Sequence, residues 1–457
     1  MSLPTDIDRM QDLVKLLLTK LSALETEVLA LRSENALLKN QLTQNSTNSH
    51  RPPSSDGLTK KPAFARPKGG KTGGQKGHSG KNLKMVATPD AIETHVPTIC
   101  KRCGQSLVDK QMTRYESRQV FEIPPPQLIV TEHQAFACLC GCGQRNLGNF
   151  PTQVQAPVQY GVQARGLASL LNQQYLLPLG QVSALFEDLF NQPINGSTII
   201  SANHRLYAAL EPAEQAIKNA IVQSKVAHFD ETGARVEGHL NWLHVASNDQ
   251  YTYYFHHPKR GQLALMDTPS VLPHFKGYAV HDCWASYFKF DKCLHVLCNA
   301  HLLRELQAAF ERGFAWALDL KIQLNELYQN NKLYRKTKKS FKKQLQIIQI
   351  QLLSIQNRNP MEQKALALVK RIKERLKSFL AFAKDPHLPF TNNLAERDIR
   401  MVKLKLKISG SFRTLQGIQH FARIRAYIST VRKQGINVFH NIVAALENKP
   451  FIVNCPK

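Results

Sequence analysis

The chain has 457 residues, 43% of them hydrophobic, which is enough for more than one buried core. Its formal net charge of +26 favours a polyanionic partner, because lysine and arginine release counterions when they neutralise phosphates. No apolar run is long enough to span a bilayer and no basic segment followed by an apolar one opens the sequence. These features predict a cytoplasmic, nucleoid-associated protein without a membrane partner.

Residues 7–43 carry a heptad repeat. Val14, Leu21, Val28, Asn35 and Leu42 share one position, and Leu17, Leu24, Leu31 and Leu38 share the position three residues later. This a/d seam predicts a parallel two-stranded coiled coil and hence a homodimer, with Asn35 fixing register at some cost in stability. Residues 44–90 read as a flexible basic linker rich in Asn, Ser, Pro and Gly. From Arg51 to Lys84 the one acid is Asp56, so this arm either lies along DNA phosphates or keeps the chain soluble.

Five of the nine cysteines fall between Cys100 and Cys142. In a cytosolic chain that density points to metal and away from disulfides. Cys100 and Cys103, in Cys-Lys-Arg-Cys-Gly, form one ligand pair for structural Zn²⁺. Three cysteines compete for the second pair: Cys138 and Cys142 are favoured, with Cys140 as the alternative. Residues 91–150 are therefore read as a small zinc-binding module, with strands expected between Arg118 and Val130. Residues 155–220 read as short helices with a Pro/Gly turn, NQPINGS, before the last. That pattern suits a helix-turn-helix-like DNA-binding segment, although many helical hairpins share it.

From Lys225 the apolar period shortens. Val226 to Phe229, Asn241 to Ala246, Tyr251 to His256, Gly277 to His281 and Cys293 to Cys298 read as five strands, and AHLLRELQAAF opens a helix. Two aspartates fall at strand ends, Asp230 and Asp282. Neighbouring carboxylates of this kind bind a pair of hard cations, Mg²⁺ or Mn²⁺, about 4 Å apart, which assist in-line displacement at phosphorus. Such a site needs a third acid, and Glu396 is the candidate, on a helix expected to begin at an Asn393 cap. Singly, each acid has another use: Asp230 and Asp282 as turn residues, Glu396 as a capping-box or Arg400 ion-pair partner. A basic, helix-rich insertion at about 310–388 separates the second and third acids. Beyond Glu396, the cations Arg397, Arg400, Lys403, Lys405, Lys407 and Arg413 are candidate DNA contacts. Residues 446–457 form a tail.

In this order the pieces resemble the insertion-sequence-sixty-six family of bacterial DDE transposases, from about Leu13 to about Ala445. The motifs that carry the resemblance are His228-Phe-Asp230-Glu231-Thr232-Gly233, His281-Asp282-Cys-Trp-Ala-Ser-Tyr287, Cys298-Asn-Ala-His301 and Asn392-Asn-Leu-Ala-Glu396-Arg397-Asp-Ile-Arg400. The resemblance implies an α/β ribonuclease-H-like catalytic core over 221–445 with a helical insertion, preceded by the coiled coil, the zinc-binding module and the helical DNA-binding segment. It also implies Asp230, Asp282 and Glu396 as the catalytic, Mg²⁺-binding triad. The partners implied are DNA, as element terminal repeats and target, with accessory transposition proteins possible. Water would cut the strand first, and the freed 3′-hydroxyl would then attack target DNA. A catalytically silent DNA-binding regulator is the alternative function. Cys298 and His301 match a CxxH signature of related transposases, for which packing and chemistry are both open.

Overall fold

The computed structural model describes residues 6–46, 48–49, 83–337 and 363–453. The basic arm over 50–82 and most of the segment KLYRKTKKSFKKQLQ therefore lie outside the described residues. None of the described helices is long and apolar enough to cross a membrane. The chain divides into two compact units, one made of Lys61–Gly148 with Asp188–Gln192 and the other of the rest.

The smaller unit holds one antiparallel ribbon, β1 (Ala137–Leu139) with β2 (Arg145–Leu147). The strands expected over Arg118–Val130 do not form. Pro124, Pro125 and Pro126 interrupt that stretch and have no N–H to give a ladder. Two tight turns present the cysteines. In one, Gly104 N–H donates to Cys100 O and Cys100 N–H to Gln105 O (both 2.9 Å). In the other, Gly143 N–H donates to Cys140 O and Cys140 N–H to Gln144 O (both 2.8 Å). Gly104 (φ +73°) and Gly143 (φ +87°) close these turns in the left-handed region, which glycine enters without a Cβ clash.

The larger unit begins with a single helix, Asp6–Thr43. Its heptad leucines and valines stay in water: Val14, Leu17, Leu21, Leu24, Val28, Leu31, Leu38 and Leu42 are all exposed. The main core is a five-stranded sheet in the order β5 (Thr252–His257), β4 (His239–Ser247), β3 (Val226–Val236), β6 (Tyr278–His281), β7 (Leu294–Leu297). The first three strands are an antiparallel meander, while β6 and β7 run parallel to β3. Strand β3 is longer than the sequence suggests. It runs on to Val236 because the two-residue turn Glu237-Gly238, both at positive φ, folds it straight back onto β4. Asp230 therefore lies in mid-strand, not at a strand end. It sits where the parallel ladder to β6 stops, since the paired residues of β3 are Val226 to His228.

Helices cover both faces of the sheet. On one, Ile217 and Ile221 from the helix Glu211–Val222 pack with Phe229, Phe275 and Tyr287. On the other, Ala395, Ile399 and Val402 from the helix Asn393–Ser409, with Phe421 from the helix Leu415–Lys433, pack on Leu243, Val245 and Tyr254. Fully burying a side chain such as Ile399 contributes on the order of 2 kcal/mol. The segment 155–220 does not stand apart. Leu206, Leu210 and Ala213 share a core with Ile424, Tyr427 and Ile442 of the C-terminal helices. At Gly166 the contact is so close that a Cβ would lie 2.8 Å from Val443 Cγ2. Asn195 caps the helix Gly196–Ala209 by accepting from Ser197 N–H, so the NQPINGS turn does start a helix. The insertion has its own apolar core, in which Leu302, Leu306, Leu320 and Leu324 meet Ile372, Phe379 and Phe382.

Candidate active site

Three chain segments bring the acids of the sequence motifs together. The pairing of His228 with Val280 on β3 and β6, continued two residues, sets Asp230 beside Asp282. Asp282 immediately follows β6 and accepts from Trp284 N–H (3.1 Å). Glu396 stands in the first turn of Asn393–Ser409, whose inner face is buried against the sheet. The charges of Glu231, Asp282 and Glu396 all act on Asp230. Burial, then these neighbours, push its carboxyl up to about 8, against a backbone hydrogen bond from Glu231 N–H. The site therefore holds more negative charge than its surroundings neutralise.

Glu231 is a fourth acid and has a separate role. Burial also raises its pKa, but its side chain is only 2% exposed and fully engaged. Oε2 accepts from Tyr287 Oη (2.6 Å), and Oε1 accepts from Arg260 Nε and Nη2 (2.9 and 2.8 Å). The Arg260 guanidinium lies over the rings of Trp284 (4.4 Å) and Trp242 (5.0 Å). Because Trp284 also donates to Asp282, this network stiffens the loop that carries the second acid. Sequence reasoning did not find it. Its one clue was that Glu231, Trp284 and Tyr287 stand inside the two aspartate motifs.

Asn392 carries the third acid into place. The helix was expected to begin at an Asn393 cap, yet Asn392 is the cap and its side chain caps nothing. It reaches across to β3 instead, where Nδ2 donates to Phe229 O (2.8 Å) and Oδ1 accepts from His228 Nδ1 (2.9 Å). That pattern fixes the proton of His228 on Nδ1. Asn392 N–H donates to Cys298 Sγ (3.1 Å). One buried asparagine, through its side-chain amide and its backbone N–H, thus ties together the strand of Asp230, the helix of Glu396 and the CxxH segment. Glu396 does not pair with Arg400. Its Oε1 faces Cys298 Sγ at 3.9 Å and His301 Nδ1 at 4.0 Å. Asp398, in the same motif, is structural and accepts from Lys433 Nζ (3.0 Å) and Thr252 Oγ1 (3.2 Å).

The outer face of this helix is cationic. Arg397, Arg400, Lys403 and Lys407 are exposed, as is Arg413 beyond it, while Lys405 is half-buried and its pKa is lowered by burial. In the smaller unit, hydrogen bonds from Cys103 lower the pKa of Cys100, and hydrogen bonds from Cys142 lower that of Cys140. Cys138 Sγ turns to Leu139 O instead (3.7 Å).

Residues 159–420 match the model of the "Transposase IS66 family". Residues 97–143 match the "zinc-finger binding domain of transposase IS66". Residues 4–84 match a family of unknown function, DUF6444. No curated protein matches the chain significantly.

Proposed function

Because the chain belongs to the IS66 transposase family, we propose that it cuts element ends and joins them to target DNA at a ribonuclease-H-like site built from Asp230, Asp282 and Glu396. The observation that carries this reading is the convergence on Asp230. A parallel strand register, a buried amide and a helix start together crowd acids around one carboxyl that burial already disfavours as an anion. Uncompensated carboxylate oxygens in such a setting fit a hard divalent cation, Mg²⁺ or Mn²⁺. When bound, the metal activates the attacking oxygen and neutralises charge on the leaving one.

The protein's own groups do the rest. Asp230 and Asp282 would hold the metal from adjacent parallel strands, and Glu396 would close the site from the helix. Arg260 and Tyr287 keep Glu231 engaged, so it does not compete for the cation. Arg397, Arg400, Lys403 and Arg413 bind the phosphates of the scissile strand, assisted by Lys405. Water attacks the phosphorus at the element end and displaces the 3′-oxygen, which leaves as a 3′-hydroxyl; that hydroxyl then attacks the phosphorus of a target phosphodiester and displaces the target strand's own 3′-oxygen. Cys100 and Cys103 hold structural zinc with Cys142, and the turn at Cys140 favours Cys140 over Cys138 as the fourth ligand. The exposed heptad face of Asp6–Thr43 pairs two copies so that both element ends are held in one assembly. The helices of 155–220 and the smaller unit supply recognition of the terminal repeats.

The test is cleavage and joining of DNA carrying the element's ends, with Mg²⁺ or with EDTA. Nicking at the ends that requires Mg²⁺ and is lost in Asp230→Asn and Glu396→Gln is the expected result. Specific end binding by the wild type with no cleavage would leave the chain a regulator.

A further inference from the structure

Cys298, His301 and Glu396 converge on one point, where the cleavage reading uses Glu396 alone. Their ligand atoms, one each, all lie within 4.8 Å of one another. Sγ and Nδ1 both face the same oxygen, Glu396 Oε1, at 3.9 and 4.0 Å. A zinc-type ion with bond lengths of about 2.0–2.3 Å needs tetrahedral ligands about 3.5 Å apart, so these two edges must close by about half an ångström and the Sγ–Nδ1 edge, which is within 4.8 Å, must close with them.

Burial raises the pKa of the Cys298 thiol, and two features of its surroundings oppose that and favour a thiolate ligand. Cys298 precedes the helix Asn299–Glu311 as its cap residue, so the positive end of that helix faces it. Asn392 N–H donates to Sγ from a residue 94 positions away. Backbone donors of this kind are what a metal-bound sulfur accepts. His301, one turn into the helix, points back to the same place. Cys298 is buried, whereas the side chains of His301 and Glu396 are each 23% exposed, which leaves an approach for the ion and for a water as fourth ligand.

The position in the chain gives the site a purpose. Cys298 and His301 open the helical insertion, and Glu396 follows its end. The two chain segments at the base already meet, with Asn299 N–H donating to Phe390 O (3.0 Å). We propose that Cys298, His301 and Glu396 form a zinc-binding site that staples the base of the helical insertion and holds the third acid through its Oε1. Sulfur and imidazole select Zn²⁺ over Mg²⁺, which prefers oxygen ligands, so this site is chemically distinct from the two-aspartate position.

The experiment is metal counting on the full-length protein, followed by titration with Co²⁺ as a spectroscopic substitute for zinc. The wild type is expected to hold one more zinc per chain than Cys298→Ala or His301→Ala, with the zinc finger intact in all three. The variants should also lose part of the thiolate-to-cobalt absorption. Glu396→Gln, which changes a partly exposed residue and keeps its volume, should weaken Co²⁺ binding at this site by at least about tenfold, since losing a direct ligand costs no less than losing a supporting one. Equal zinc content and equal cobalt spectra in wild type and Cys298→Ala would overturn the proposal, leaving a hydrogen-bonded cluster. So would a Glu396→Gln protein with unchanged Co²⁺ affinity. Because the readout is bound metal, its failure is separable from failure of the cleavage assay.

Discussion

Asp230→Asn should make the metal-free protein more stable while abolishing its proposed activity. The ionised carboxylate is unfavourable in the folded chain because it is buried among the charges of Glu231, Asp282 and Glu396. Its pKa rises from an ordinary 3.8 to about 8. At about 1.4 kcal/mol per pH unit, that displacement sets a ceiling of about 6 kcal/mol on the cost to the folded state. The sign follows from linkage. A group whose folded pKa is raised contributes stability that is fully present below the unfolded value and is lost as pH climbs to the folded one. In EDTA, wild-type stability should therefore fall between about pH 4 and pH 8. Asparagine carries no charge at any pH and escapes that loss. Local relaxation and water penetration reduce the ceiling to about 3 kcal/mol near pH 8. At about 2–4 °C per kcal/mol, the variant should melt roughly 6–12 °C higher. Calorimetry from pH 5 to 9 in EDTA measures this, and Mg²⁺ should raise the wild-type melting temperature more than that of the variant. A variant that melts at or below the wild type across that range would refute the crowding of acids around Asp230.

Three further outcomes follow from named contacts. Arg260→Ala leaves the Glu231 carboxylate buried with only Tyr287 as partner, so urea unfolding should report a loss of about 3 kcal/mol, while Arg260→Lys should recover part of it. Asn392→Ala orphans Phe229 O and His228 Nδ1, two buried groups worth about 1–3 kcal/mol each, so denaturation should show a loss of about 2–5 kcal/mol and cleavage should fall as Glu396 loses its anchor. Leu17→Glu with Leu24→Glu places like charges on the exposed heptad face, so sedimentation should show the dimer dissociating while the sheet domain keeps its melting temperature.

The sequence alone determined what is local or periodic. Strand-length apolar runs located all five strands of the sheet, because a buried strand must be apolar over its own few residues whatever its partners. The heptads identified the helix Asp6–Thr43, and the Cys-x-x-Cys-Gly spacing identified the turn at Cys100, for the same reason: the signal lies within a few turns of chain. Asp230, Asp282 and Glu396 stood out through motif order. Only the tertiary structure decided how they meet. Nothing near Asp230 reveals that β3 continues to Val236, since that extension depends on pairing with β4 after the Glu237-Gly238 turn. Nor does local sequence show that Asn392 abandons its helix cap for a strand 163 residues away, or that Arg260 crosses 29 residues to Glu231. Buried polar groups must find partners, and in a sheet assembled from distant segments those partners are chosen by packing. The same rule brings Cys298, His301 and Glu396 together. They are separated by the whole insertion in sequence, and its base is closed in space by hydrogen bonds that no spacing encodes.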